Sequence, residues 1–166
     1  MRTSEGVEWA LHCCLTLVWV GGAEPVPSAR LAAMFELSPT YLNKVLQRLT
    51  RAGVLTSVSG PRGGVRLARE PERISMMDVV AAVEGPDPLF ACVEIRQRGV
   101  SATGASAREF ARPCGVSTAM RRAELAWRRE LSGQSVADLA AATPAASVAR
   151  VRANHARLAG TAAATG

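Results

Sequence analysis

Two short helical patterns separated by a proline-containing break are the feature of this sequence that most restricts its fold. The first, SARLAAMF (28–35), can begin at Ser28, and ELSP interrupts it. Ser38 and Pro39 suit the N-cap and first position of a second helix, PTYLNKVLQRLTRA, which Gly53 ends. Two short helices joined by about four residues are typical of a helix-turn-helix.

The second predicted helix has an apolar side and a polar, basic side. The apolar side is formed at helical spacing by Leu42, Val45, Leu46 and Leu49. The opposite side carries Thr40, Asn43, Lys44, Gln47, Arg48 and Arg51. Side chains of these types can meet base edges and phosphates, so this helix is the predicted recognition helix.

A predicted β-hairpin follows the recognition helix directly. Residues 54–58 and 65–67 are strand-like, and SGPRGG between them is strong turn chemistry. Arg62 lies at the predicted tip, and Arg66 and Arg69 lie on the return strand. A basic hairpin in this place is a wing, which can reach a minor groove or a phosphate backbone. The predicted fold class is mainly α with a small β-hairpin wing.

The apolar stretch VEWALHCCLTLVWV (7–20) near the start of the chain predicts a core helix. Its periodic apolar face consists of Val7, Leu11, Cys14, Leu15 and Val18. A signal peptide needs a positive N-terminal region, whereas Glu5 and Glu8 outweigh Arg2 here. The stretch is also shorter than the roughly 20 apolar residues that cross a bilayer. We therefore expect a cytoplasmic protein without membrane association, and we interpret Cys13 and Cys14 as core packing.

The charge of the chain points to nucleic acid. The net charge is +6, and Lys44 is the only lysine, so arginine supplies nearly all of the basic groups. Guanidinium groups pair bidentately with phosphates and base edges. An enzyme is disfavoured because the chain has two histidines and no nucleophile, phosphate-binding or zinc-protease motif. A winged helix that binds protein rather than DNA remains an alternative.

Beyond the wing, the pattern changes along the chain. Ser75 and Asp78 form a predicted capping box for a short helix that Gly85 closes. A helix starting near Ser117 carries an apolar stripe that suits a dimer contact, formed by Met120, Ala123, Trp127 and Leu131. We predict a winged helix-turn-helix domain at 1–84, a sensor loop at 85–116, a dimerisation helix and short following helix at 117–142, and a flexible tail at 143–166.

Several of these strings resemble the Rrf-type family of bacterial winged-helix transcription regulators. The resemblance lies in LSPTYLNKVLQRLTRAGVLTSVSGPRGGVRLAR, ISMMDVVAAVEG, a cysteine-bearing loop and a W-x-x-x-L helix, and GVEWALHCC and EIRQRG are similar to the RsrR-type redox regulators of that family. It implies a homodimer with crossed long helices that binds double-stranded DNA at a pseudo-palindromic operator and acts as a repressor. Combined with the exposed face, it gives these predicted DNA contacts: Ser28, Ser38, Pro39, Thr40, Tyr41, Asn43, Lys44, Gln47, Arg48, Arg62, Gly63 and Arg66.

The resemblance also implies a redox-sensing [2Fe–2S] cluster at the loop. Members commonly supply three loop cysteines, but Phe110 stands where the third would be. The RsrR-type ligands are two loop cysteines with an acid and a histidine from the other subunit, which Cys92, Cys114 and Glu8 match. Phe35 stands at the histidine position, so the candidates for the fourth ligand are His12 and Glu36. The alternatives are a Cys92/Cys114 thiol switch without a cluster, and a family member without a cofactor.

Overall fold

The computed structural model describes residues 3–22 and 24–164 of the chain. Over these ranges it contains seven α-helices and two β-strands: α1 (Glu5–Val20), α2 (Ser28–Met34), α3 (Pro39–Arg51), β1 (Leu55–Val58), β2 (Gly64–Leu67), α4 (Met76–Glu84), α5 (Gly115–Ser132), α6 (Val136–Ala142) and α7 (Ala145–Ala164). The predicted fold class, mainly helical with one hairpin, is confirmed. Arg2, used above against a signal peptide, and the last two residues of the predicted tail lie outside the described residues.

The chain forms two compact units. The loop unit runs from Pro86 to Glu130, and the main unit consists of the residues up to Gly85 together with those from Leu131 onward. The loop unit contains three short 3-10 turns and most of α5. The predicted sensor loop therefore has local structure, although none of its turns is longer than four residues.

Helix α1 is the centre of the main unit. It contacts α3, α4, α6 and α7. Its buried side includes Ala10, Cys13 and Cys14, each 0% exposed, which agrees with the interpretation of both cysteines as packing. Burial raises the pKa of the Cys13 thiol to about 12, so this thiol stays protonated and unreactive near neutral pH.

The helix-turn-helix and wing form as the sequence predicts, with small changes at the helix ends. Leu42 and Leu49 of α3 are fully buried, and Ser38 occupies the N-cap position, although its side chain makes no cap hydrogen bond. Ser28 is not the N-cap of α2: that position is Pro27, and Ser28 is the first helical residue. Proline fixes the φ angle before the helix and so defines its start without a side-chain cap.

The wing is hydrogen-bonded to residues 24–27, which precede α2 and which we call the connector. β1 and β2 pair antiparallel, with Leu55 opposite Leu67. Val26 forms an additional antiparallel bridge with Val65, through Val26 N–H to Val65 O (2.8 Å) and Val65 N–H to Val26 O (2.9 Å). The connector thus satisfies the free edge of β2, which ties the position of the wing to the start of the helix-turn-helix.

The N-termini of α4 and α6 lie side by side, and each has a capping box. Ser75 and Ser135 each head a complete capping box, with Asp78 and Asp138 as the acidic members. The two N-caps form a bridge with each other, supported by a hydrogen bond from the Met76 N–H to the Gln134 carbonyl (2.8 Å). This pairing returns the chain after α5 to the main unit.

The prediction of a flexible tail at 143–166 is wrong, because α7 extends over residues 145–164. Its half-buried positions recur at helical spacing and include Val148, Val151, His155 and Leu158. The helix contacts α1 and α2. Arg152 Nε donates to the Trp19 carbonyl (2.9 Å), near the C-terminus of α1. An alanine-rich helix of weak amphipathicity is stabilised here by packing, which the local pattern could not show.

Within residues 3–22 and 24–164, no helix is both long and apolar enough to cross a membrane.

Candidate nucleic-acid interface and cysteine loop

A groove lies between the recognition helix and the wing in the main unit. Its volume is about 670 Å³, and its walls include Ser28 at the start of α2, Asn43, Gln47 and Arg51 on α3, and Gly63 in the wing turn. Four of the twelve predicted contacts, Ser28, Asn43, Gln47 and Gly63, therefore line one concave surface, as the sequence could not establish. Amide side chains in such a groove can pair with adenine or with other base edges.

The other eight predicted contacts lie at the N-cap of α3, on α3 or on the wing. All eight are exposed: Ser38, Pro39, Thr40, Tyr41, Lys44, Arg48, Arg62 and Arg66. The chain also places Arg51 in the groove wall, a residue of the polar face that was not among the predicted contacts. The groove wall on α3 therefore carries two amides, Asn43 and Gln47, and one cation, Arg51.

Tyr41 lies on α3 beside the start of α1. Its side chain is 38% exposed. Its hydroxyl oxygen lies 3.6 Å from the place that a Cβ on Gly6 would occupy. Tyr41 thus packs on the N-terminal turn of α1 while part of its ring stays open to solvent.

Arg48 has a partner inside the chain. Its Nη1 donates to the carbonyl oxygen of Val83, 2.9 Å away, in the last turn of α4. The same end of α4 is bound to the start of α1, since the Ser4 N–H donates to Glu84 Oε1 (2.7 Å). The exposed position of Arg48 on a helix predicted only a DNA contact, because nothing in the sequence shows that α4 ends beside it.

Gly64 allows the wing to pack against the connector. A Cβ built on Gly64 would collide with the backbone carbonyl of Val26, and one on Gly63 would collide with the backbone of Val58 and Gly60. Gly63 and Gly64, at the end of the SGPRGG turn, therefore permit close backbone contacts as well as the turn itself.

In the loop unit, Cys92 is exposed and Cys114 is partly buried. Between them, Arg96 binds two separate stretches of the loop. Its Nε and Nη2 donate to the Glu94 carboxylate, Nη2 also to the Arg112 carbonyl (3.1 Å), and Nη1 to the Glu109 carbonyl (3.3 Å). Sequence reasoning missed Arg96, although the string EIRQRG that carried the resemblance includes it.

The hydrogen bonds between Arg96 and Glu94 favour the charged form of both side chains. The pKa of Arg96 is raised, first by the hydrogen bond to Glu94, while desolvation opposes the rise and the charge of Glu94 adds to it. The pKa of Glu94 is lowered by the same hydrogen bond. The Arg96–Glu94 ion pair is therefore charged near neutral pH.

The three candidate ligands outside the loop, Glu8, His12 and Glu36, are all exposed in the main unit. Glu36 follows the end of α2 with a positive φ of 53°. The ring of Phe35, at the position where a histidine was expected, lies 6.2 Å from that of His12 and 5.8 Å from that of Trp9. His12 thus stands next to the position that Phe35 occupies.

Thiolates and a carboxylate are chemically suitable ligands for iron. A [2Fe–2S] cluster needs four ligands, and within the loop unit Cys92 and Cys114 are the two thiols that one chain brings to it. In the described part of the chain, no group of three or more His, Cys, Asp or Glu side chains is placed to hold a metal ion. The two thiols of the loop unit supply half of the four ligands that such a cluster needs.

Comparison with known proteins gives consistent matches. Residues 3–142 match the model of the Rrf2 family, described as iron-dependent transcriptional regulator. YffB of Lactococcus lactis, which carries the name HTH-type transcriptional regulator, is 30% identical over 140 residues, 84% of this chain and 87% of YffB. The HTH-type transcriptional regulator IscR of Vibrio cholerae is 33% identical over 84 residues, 51% of this chain and 49% of IscR. Among solved structures, CymR, the global cysteine regulator of B. subtilis, has a TM-score of 0.65 at 23% identity, covering 87% of this chain and 99% of CymR.

Proposed function

The chain belongs to the Rrf2 family of transcriptional regulators, and from this premise we propose that it is a homodimeric repressor that binds a pseudo-palindromic DNA operator. Membership also agrees with the prediction that the chain is not an enzyme. The observation that carries the proposal is the groove of about 670 Å³ between the recognition helix and the wing, with the polar side chains Asn43 and Gln47 and the cation of Arg51 in its walls.

Base recognition is assigned to the amides of α3, and phosphate binding to its cations and to the wing. Asn43 and Gln47 line the groove, and Asn can bind the N6 and N7 edge of adenine bidentately. Lys44 is exposed on α3, and Arg62 and Arg66 are exposed on the wing. Phosphate contacts of this kind release counterions, so the affinity should fall steeply with salt.

Dimerisation is assigned to α5. The apolar stripe predicted for this helix consists of Met120, Ala123, Trp127 and Leu131. In the single chain Met120 is 43% exposed, and Trp127 and Leu131 are half-buried. Burying this stripe against a second copy would remove apolar surface from water. A two-fold dimer would present two recognition helices, which explains a pseudo-palindromic operator.

The sensor is assigned to Cys92 and Cys114. In the ligand arrangement that the family resemblance implies, they would hold a [2Fe–2S] cluster together with Glu8 of the partner subunit, and His12 or Glu36 would complete the set. A bound cluster would supply a one-electron redox change.

The second candidate for the sensor is a thiol switch, in which the two thiols form a disulfide and pass two protons and two electrons to an oxidant. It is supported by the presence of two thiols in the loop unit of each chain, the number that a disulfide needs.

The end of α4 is the proposed route from sensor to DNA. Pro86, where the loop unit begins, follows directly on the α4 C-cap Gly85. Arg48 binds that end of α4 to the recognition helix, and Glu84 binds it to the start of α1. A change in the loop that displaced the end of α4 would change which orientation of α3 is populated, and hence the DNA affinity.

The test of DNA binding is fluorescence anisotropy with DNA from the promoter region of the protein's own gene, at several salt concentrations. Asn43→Ala should lower the affinity by about 1–3 kcal/mol for the specific site and leave nonspecific binding nearly unchanged. Equal loss on both DNAs, or no loss, would contradict the assignment.

Sedimentation of wild type and of Met120→Asp tests the α5 dimer, because a charge in the interface should shift the protein towards the monomer.

The test of the sensor is the absorption spectrum of the anaerobically purified protein, with iron and sulfide analysis. Cys92→Ser should lose the visible absorption, whereas Cys13→Ala, a change of a fully buried thiol, should keep it. A colourless wild type under adequate iron supply would reject the cluster. If the DNA affinity of that colourless protein changes with a thiol oxidant, and Cys114→Ser abolishes the change, the thiol switch is supported.

A further inference from the structure

The two loop cysteines are far apart along the chain, one on each arm of the loop. Cys92 lies on the first arm, two residues before Glu94, and Cys114 lies on the second arm, two residues after Arg112. Each arm by itself is short and irregular, with 3-10 turns at Ile95–Gln97 and Ala107–Phe110. Local structure therefore does not determine the separation of the two sulfurs, and a contact between the arms must do so.

Arg96 makes that contact. On the first arm, Nε and Nη2 grip both oxygens of the Glu94 carboxylate, with Nη2 to Oε2 at 2.8 Å. On the second arm, Nη1 and Nη2 reach the carbonyls of Glu109 and Arg112. The guanidinium carbon lies 5.4 Å from the centre of the Phe110 ring, so the same group also packs on the second arm. We call Arg96 with these four partners the Arg96 clasp.

The geometry of the clasp depends on the planar fork of arginine. Nη2 serves the Glu94 carboxylate and the Arg112 carbonyl at once, while Nη1 binds the Glu109 carbonyl and the flat face meets the Phe110 ring. A lysine ammonium has the charge but neither the fork nor the flat face. Glu94 is held in the left-handed region, with φ 47° and ψ 55°, which a residue other than glycine adopts only when its surroundings impose it.

We propose that Arg96 is the positioning residue of the sensor, which holds the Cys92 arm and the Cys114 arm together at the spacing that sulfur chemistry requires. The inference deepens the proposed function and rests on its assignment of Cys92 and Cys114 as the sensing pair. It applies to either form of the sensor, because two ligands of one cluster and two partners of one disulfide must both be brought close.

The test measures the closeness of the sulfurs in the reduced, full-length protein without iron. Dibromobimane becomes fluorescent only when it joins two thiols, and Cys13 and Cys14 are 0% exposed and so protected from it. Wild type should be bridged rapidly, and Cys92→Ser should give no signal. In Arg96→Gln the rate should fall by about tenfold, because a flexible loop keeps its ends at only millimolar effective concentration.

Two further variants separate positioning from charge and from general damage. Arg98→Gln removes an exposed arginine of the same arm and should be bridged like wild type. Arg96→Lys keeps the charge and should be as slow as Arg96→Gln. Full bridging in either Arg96 variant, or no bridging in wild type, would overturn the proposal. Circular dichroism of each variant shows whether the helices are retained.

The outcome is independent of the proposed DNA function. Bridging is measured without DNA, so its result does not depend on whether the protein binds a promoter. If the wild type is bridged but binds no DNA, the function proposed above fails and the clasp stands. If it binds DNA and Arg96→Gln is bridged as fast as wild type, the clasp fails and the function stands.

Discussion

Replacing Arg48 tests whether this side chain of the recognition helix acts as a link to α4 or as a phosphate contact. Its Nη1 donates to the Val83 carbonyl over 2.9 Å, and Arg48→Met would remove this bond while keeping most of the aliphatic stem. Hydrogen bonds from a charged donor contribute roughly 1.5–3 kcal/mol, and the exposure of this side chain reduces the value to about 1 kcal/mol. For a chain of this size, that loss lowers Tm by about 2–4 °C.

The assays are thermal and urea unfolding followed by circular dichroism, and DNA binding across a salt series. In Arg48→Met we expect a lower Tm, an unchanged urea m-value, and weaker DNA binding with an unchanged salt slope, because the recognition helix is less firmly oriented. The matched control is Arg51→Met, on the same helix and in the groove wall. It should keep the Tm and lose about one unit of salt slope. The reasoning is refuted if Arg48→Met behaves like that control.

Three further predictions concern the main unit. Gly64→Ala should destabilise the wing by about 1–3 kcal/mol and weaken DNA binding, since the new Cβ would collide with the Val26 carbonyl. The control Gly115→Ala, whose Cβ would have no neighbour within 4 Å, should leave both the stability and the DNA affinity unchanged. Leu49→Ala should cost roughly 2–5 kcal/mol in urea unfolding because Leu49 is 0% exposed, and a loss below that range would contradict close packing. Burial, and next the charge of Arg30, lower the pKa of His155 below its usual 6.5. The contribution of His155 to the free energy of unfolding is therefore complete above pH 6.5 and is lost as the pH falls through the lowered pKa. Unfolding measured as a function of pH should show this loss, and His155→Gln should flatten it; an equal slope in the variant would reject the link.

The helix-turn-helix and the wing could be predicted because their signals are local. Pro39 and Gly53 mark the ends of the recognition helix, and SGPRGG marks the wing turn, within a few residues of the structure that each determines. The capping box at Ser75 is equally local, and it forms as predicted. Such signals work because a cap, a proline or a turn acts on backbone groups no more than about four residues away.

The candidate site was predicted less completely. The polar face of α3 follows from helical periodicity, but the groove that it shares with Ser28 and Gly63 depends on how the connector and the wing pack. The tail shows the same limit. Its helix has little sequence signal, and it is held by contacts such as Arg152 with the Trp19 carbonyl.

The sequence by itself determined the order of the elements, the polar face offered to DNA and the two loop thiols. The tertiary structure alone decided that Arg48 binds α4, that α7 packs on α1 and α2, and that Arg96 joins the two arms of the loop. Helix periods and turn residues are encoded over a few neighbours. The partner of a guanidinium is instead whichever carbonyl or carboxylate the packed backbone brings within about 3 Å, and that depends on the whole chain.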